Sequence, residues 1–224
     1  MKPPPSLSLP ARLYLLACDP RRNRLPGRQQ TGYLLRAAAL TDLVLRGCLV
    51  DARGRPAVSG PATGDAVLDG VGAEIAQQRP RRWKVWVRRG ERQILDAVEH
   101  QLSAAGLVAV ESRPVLGIFP RRHIELADLD GVERSRAAVR DILLGDLPLE
   151  RVDPADAALV ALAAAGQLRS VVSGREQRQR RHRIRALTER SGAAVPALRQ
   201  VLSDLQSAAV TAATVAAAAS SGGS

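Results

Sequence analysis

The chain has 224 residues and a formal net charge of +11, long enough to bury a sizeable core and basic enough to favour polyanionic partners, either nucleic acid or an anionic membrane surface. Hydrophobic residues make up 46% of it and aromatics only 2%, so the core is built from Leu, Val, Ala and Ile, most of them good helix formers. No run approaches the ~20 strongly apolar residues of a spanning helix, and two cysteines, Cys18 and Cys48, each set in an apolar run, exclude a disulfide framework and read as small core residues.

Residues 1–8 form a proline-rich tail; MKPPPSLSLPARL is too rich in proline for a signal peptide, so the chain reads as cytoplasmic. Nearly all the basic residues are arginine, a bias suggesting a G+C-rich, bacterial source. Three segments look alike: LTDLVLRGCLVD, VEHQLSAAGLVAVE and LVALAAAGQLRSVV. Each is a helical run ending in glycine, at Gly47, Gly106 and Gly166, with spacings of 59 and 60 residues. Glycine there supplies the left-handed conformation that closes a helix and satisfies its last carbonyls. The near-equal spacing hints at a weak internal repeat.

GDAVLDGVGAEIAQQ places Val67, Leu68, Val71 and Ile75 at helical spacing. Asp65 follows Gly64 and reads as a capping residue, although it and Asp69 are four apart and could share a helix face. A helix over VERSRAAVRDILLG follows Asp130-Gly131. DPADAALVALAAAG starts with Asp153 as N-cap and Pro154 at the first helical position. The last long helix, AVPALRQVLSDLQSAAV, puts Leu198, Leu202 and Leu205 on one face, and residues 217–224 are a flexible end. Short strands are expected only at GCLVD, LVAVES and GIFPRRHIEL. The fold class is mainly α, a single domain over 9–216 with a β-hairpin at about 108–126.

Catalytic patterns are missing. His100, His123 and His182 are far apart and lack ligand-like neighbours, so no metal site is expected and His123 reads as flanking the hairpin. Gly27 and Gly32 in GRQQTGYLL have P-loop spacing, but Tyr33 and Leu34 stand where Lys and Ser or Thr are required. The chain reads as a non-enzyme without cofactor.

The hairpin raises a different question. VESRPVLGIFPRRHIEL holds five consecutive positions, Val115, Leu116, Gly117, Ile118 and Phe119, at the expected turn, ringed by Arg113, Arg121 and Arg122. One reading is a winged-helix nucleic-acid binder, since helix, glycine, strand, turn, strand is that motif's order. GREQRQRRHRIRALTER would then grip phosphates. The plainer reading of that run is a helix with Ile184 and Leu187 inward and Arg178, Arg181 and Arg185 in water. A winged-helix tip is usually polar, and this one is not. The other reading is an interfacial anchor, in which arginines attract anionic headgroups and the apolar turn enters the acyl boundary. A turn packed on its own domain or on a second copy is equally compatible.

The order and spacing of LPARLYLLACD, LLRAAALTDLVLRGCLVD, PATGDAVLDGV and LSAAGLVAVE leading into VLGIFPRRHIEL resemble the Golgi phosphoprotein 3 family over roughly residues 8 to 215. The resemblance implies a central helical bundle, a basic pocket for phosphatidylinositol 4-phosphate, and a projecting hairpin whose apolar tip serves membrane insertion and self-association. Carried over by position, the pocket arginines fall on Arg36 and Arg92. A third falls on Leu95, and the family's headgroup tryptophan has no aromatic counterpart in RNRLPGRQQTG, where Arg24 and Arg28 offer charge alone. The expected protein is a peripheral membrane protein that binds anionic lipid, phosphoinositides included, with homo-oligomer formation through the hairpin and nucleic acid as the alternative partner.

Overall fold

Two alanine-rich helices, α2 (Arg28–Leu45) and α7 (Pro154–Ala165), lie at the centre of the core and are buried along most of their lengths. Small side chains let neighbouring helices pack closely against them. The computed structural model describes residues 7–115 and 119–191, and side chains among these outside 112–121. Around α2 and α7 are α1 (Leu9–Ala17), α3 (Ala66–Gln77), α4 (Trp83–Val87), α5 (Glu91–Ala104), α6 (Leu129–Leu144), α8 (Gly174–Gln179) and α9 (Arg181–Ser191). The architecture is mainly α, with two antiparallel strand pairs among the described residues. None of the described helices is long and apolar enough to cross a membrane. The expected helix over 194–210 lies outside the described residues.

Local signals account for much of this. Asp153 accepts from Ala155 N–H and Pro154 opens α7, as its sequence predicts. Asp65 caps α3 by accepting from the amides of Val67 and Leu68, both at 3.0 Å, and Val67, Leu68, Val71 and Ile75 are buried. Asp69 turns back rather than joining it on a catalytic face. It accepts from Thr63 N–H, Thr63 Oγ1 and Gly64 N–H. Although its burial pulls the other way, those bonds hold its pKa below the usual carboxylate value. α6 starts at Leu129 under an Asp128 cap, so Asp130 and Gly131 lie within its first turn rather than before it.

The three similar segments end alike, with one correction. Cys48, Leu107 and Leu168 amides bond back to Leu43, Leu102 and Ala163 carbonyls at 2.8, 2.9 and 3.0 Å. The left-handed residue in the first two is Gly47 (φ 74°) and Gly106 (φ 69°), but in the third it is Gln167 (φ 49°). Gly166 has φ −78°. It is needed for space instead, because a Cβ there would collide with the Leu34 side chain on α2. Gly166→Val is therefore expected to cost about 1–3 kcal/mol by overpacking. Gln167→Gly is expected to gain about 0.5–1 kcal/mol by relieving the left-handed conformation. Urea melts of the two variants should move in opposite directions.

Strand β1 (Leu49–Asp51) is where GCLVD predicts it; its partner β2 (Pro56–Val58) is an addition. The second pair, β3 (Val108–Val115) and β4 (Phe119–Leu126), is the expected hairpin, in register from Val108 opposite Leu126 to Val115 opposite Phe119. Leu116, Gly117 and Ile118 lie outside the described residues. Cys18 and Cys48 are buried free thiols. Burial, helped by the nearby Glu99 charge, pushes Cys18 up to about 12.

Candidate functional site

Arg36 lies on the face of α2 that packs on α5, and Gly32 explains how closely the helices meet. A Cβ at Gly32 would fall 2.9 Å from both the backbone carbon and the Cβ of Glu91, so only glycine fits. This approach brings Gly90, the left-handed residue before α5, over Arg36; a Cβ on Gly90 would sit 3.7 Å from the guanidinium. Arg36 is only 3% exposed. Its Nη2 pairs with Glu74 of α3 and its Nε donates to the Trp86 carbonyl at 3.1 Å. The guanidinium stands 5.9 Å from the centre of the Trp86 ring. Contrary to the picture of an open lipid contact, this arginine already has a carboxylate partner.

Arg92 lies in the first turn of the same α5, exposed, and among the described residues it forms no ion pair. Leu95, where the family pattern has another arginine, is buried in the core. Next to Arg36 opens a cavity of about 390 Å³ lined by Glu74, Gln78, Arg89, Gly90 and Gln93. Arg89 approaches Glu74 at 3.4 Å. The chain leading into α5 is strongly basic: Arg79, Arg81, Arg82, Lys84, Arg88, Arg89 and Arg92 are all exposed, with Glu91 the only acid among them. Trp83 and Trp86 point inward from this stretch, and Trp83 Nε1 donates to Asp51 of β1 at 2.6 Å. Charge density along 79–92 is the sequence signal that motif matching passed over.

The arginines proposed as substitutes lie elsewhere. Arg28 binds Glu99 of α5 through both terminal nitrogens, at 2.6 and 3.2 Å. Burial works to lower the Arg28 pKa, but the bonds and charge of Glu99 outweigh it and raise the value. Arg24 borders a separate cleft. Glu99, itself buried, also accepts from Tyr14 Oη at 3.0 Å and from Arg122 Nη1 of β4 at 2.5 Å. Burial first, then neighbouring negative charge, drives the Tyr14 phenol pKa upward. With Ile124 N–H donating to Asn23 O at 2.8 Å, these contacts fasten the base of the hairpin to the helices. Arg122 is thus an anchor of the fold rather than a free charge around the tip. Val115 and Phe119 are the last paired residues on either side of 116–118.

The arginine run over 174–190 is divided between α8 and α9, with Ile184 and Leu187 buried and Arg178, Arg181 and Arg185 exposed, as expected. Several other members serve the fold. Arg180 donates to Leu144 O at 2.6 Å, Arg183 to Ile142 O and Leu147 O at 2.7 Å, and Arg190 to Val152 O and Glu150 O at 3.3 Å. Those guanidiniums satisfy the open carbonyls at the end of α6 and beyond, which leaves fewer for a phosphate backbone. His123 faces Glu125 at 2.8 Å.

These features define a mainly helical protein with a hairpin bolted to its core and a basic surface near a buried arginine paired with a half-buried glutamate. The Golgi phosphoprotein 3 (GPP34) family profile matches residues 9–205, and the chain belongs to that family. A search of the curated proteins found no match to it.

Proposed function

We propose that this chain is a non-enzymatic peripheral membrane protein that docks on anionic lipid headgroups, phosphoinositides among them, at the start of α5, where Arg92 lies close to the Gly90 that covers Arg36 of α2. The exposed basic stretch 79–92, which contributes Arg89 and Gly90 to the lining of the cavity beside Glu74, is the observation that carries this reading. Each such side chain near an anionic surface contributes about 1 kcal/mol of attraction. Arg36 then organises the pocket wall, with Arg89 and Arg92 as the outer contacts. Residues Val115, Leu116, Gly117, Ile118 and Phe119 form the insertion or self-association tip, where each fully buried large apolar side chain adds ~1.5–3 kcal/mol. Membership of the Golgi phosphoprotein 3 family and its association with phosphatidylinositol 4-phosphate support the same reading.

The test is co-sedimentation with neutral, phosphatidylglycerol and phosphoinositide liposomes, with duplex DNA as competitor. Arg92→Ala is expected to weaken binding to anionic vesicles about fivefold without moving the melting temperature. Changing Leu116, Ile118 and Phe119 together to Ser should abolish docking, raise solubility and leave the fold intact, with a weak salt-sensitive attraction remaining. A large fall in melting temperature would return the hairpin tip to the core. Displacement from vesicles by DNA with unchanged binding in the Ser variant would favour the nucleic-acid reading.

A further inference from the structure

We propose that Glu74 is a built-in competing anion. Its carboxylate holds the place between Arg36 and Arg89 that a headgroup phosphate takes, so the site rests closed until a phosphomonoester displaces it. Displacement turns Arg36 from pocket wall into ligand contact. This role of Glu74 rests on the docking surface proposed above and supplies its control.

The carboxylate is shared between two cations of unlike exposure. Oε2 pairs with Nη2 of the buried Arg36, and Oε1 stands 3.4 Å from Nε of Arg89, whose side chain is 45% exposed. Oε1 also accepts from Gln78 Nε2, one turn further along α3, at 3.5 Å. Glu74, Gln78 and Arg89 all line the cavity of about 390 Å³. A bound anion would bridge a buried and an outer arginine beside such a cavity in the same way; here the chain supplies the anion itself.

The contact is built to open. The Glu74 side chain is 26% exposed, so a change of rotamer carries its carboxylate into water without moving α3. Arg36 keeps its place meanwhile, because Nε still donates to the Trp86 carbonyl and the guanidinium still faces the Trp86 ring. Its Nη1 makes no hydrogen bond among the described residues. That nitrogen lies 3.7 Å from where a Cβ on Gly90 would stand, and Gly90, with no side chain to cover it, lines the cavity. Charge decides which anion stays. A phosphodiester carries one negative charge, no more than the tethered carboxylate, and remains at the outer arginines. A phosphomonoester carries about −1.5 to −2 at neutral pH with three acceptor oxygens, enough to satisfy Arg36 and Arg89 together.

The decisive experiment sediments the full chain with phosphatidylcholine vesicles carrying either phosphatidic acid, a monoester, or phosphatidylglycerol, a diester, at matched surface charge. Glu74→Gln keeps the shape and removes the charge. It is expected to tighten binding to phosphatidic acid about fivefold more than binding to phosphatidylglycerol, the worth of one partly exposed ion pair. Glu91→Gln removes an equal charge from the same basic stretch, at a carboxylate that forms no ion pair among the described residues, and should raise both by one small factor. If Glu74→Gln does not fold, Glu74→Asp decides. Its carboxylate is a methylene too short to hold both arginines, and it should show the same preference for the monoester in smaller measure. Equal gains on the two lipids, or no gain, would overturn this role of Glu74 and leave the docking surface standing. No binding of wild type to either vesicle would remove the docking surface and the role of Glu74 with it.

Discussion

Arg36→Ala is expected to destabilise the protein by about 2–4 kcal/mol, somewhat less than the 3–5 seen when a fully buried pair is broken, because Glu74 keeps a quarter of its surface in water. The loss arises from Glu74 left with only the half-exposed Arg89 at 3.4 Å and from the Trp86 carbonyl losing the Nε donor at the junction of α2, α3 and α4. On the family resemblance alone, Arg36 would be a headgroup contact whose removal leaves the melting temperature alone; its burial reverses that expectation. A double-mutant cycle with Glu74→Gln measures the coupling directly, and urea melts of the double variant should recover part of the loss. Glu74→Gln alone removes a negative charge from beneath the basic surface. Under the membrane reading it should tighten binding to anionic vesicles severalfold while lowering stability. If Arg36→Ala melts like wild type, the pair contributes nothing to the packing of α2 against α3 and α4, and Arg36 is free to act as a pure ligand contact.

Glu99→Ala should be at least as damaging, at about 3–5 kcal/mol. One carboxylate there accepts from Tyr14, Arg28 and Arg122, drawn from α1, α2 and β4. Its removal leaves a buried phenol without its acceptor and two guanidiniums with only the exposed Asp96, 3.9 Å from Arg28, as a nearby carboxylate. The effect should concentrate at the hairpin base, where Arg122 would retain only Asp96 at 3.2 Å. Hydrogen exchange should quicken in β3 and β4 before it does in α7. The Cys18 thiol should titrate somewhat below about 12, but stay high, because burial rather than Glu99 is the main cause of its shift. Protection of β3 and β4 unchanged from wild type would mean that strand pairing, not the Glu99 hub, holds the hairpin in place. Because the hairpin tip is the proposed insertion element, Glu99→Ala should also weaken vesicle binding although it touches no lipid.

Much of the secondary structure follows from the sequence by itself. Asp153-Pro154, Asp65, Gly47 and Gly106 each act within a turn or so of themselves, and a cap or a left-handed residue performs the same task in any fold. Helical spacing likewise marks the buried faces of α3 and α9, and β1, β3 and β4 fall on the stretches GCLVD, LVAVES and GIFPRRHIEL. β2 escapes such a reading because three residues carry no period, and Pro56–Val58 is a strand only because Leu49–Asp51 lies beside it. Gly166 carried the right residue type for the wrong reason, since its neighbour is Leu34, 132 positions earlier. The fate of each arginine was the least legible feature. Arg36, Arg122 and Arg183 look alike in sequence, but one is buried on Glu74, one fastens a hairpin to Glu99 and one closes the end of α6. Such a contact forms across a few ångströms of space, not along the chain, and the two carboxylates and the Ile142 carbonyl that hold these arginines lie 38, 23 and 41 residues away. Only the packing of the helices determines which arginines are consumed by the fold and which, like Arg92, remain exposed to meet a ligand.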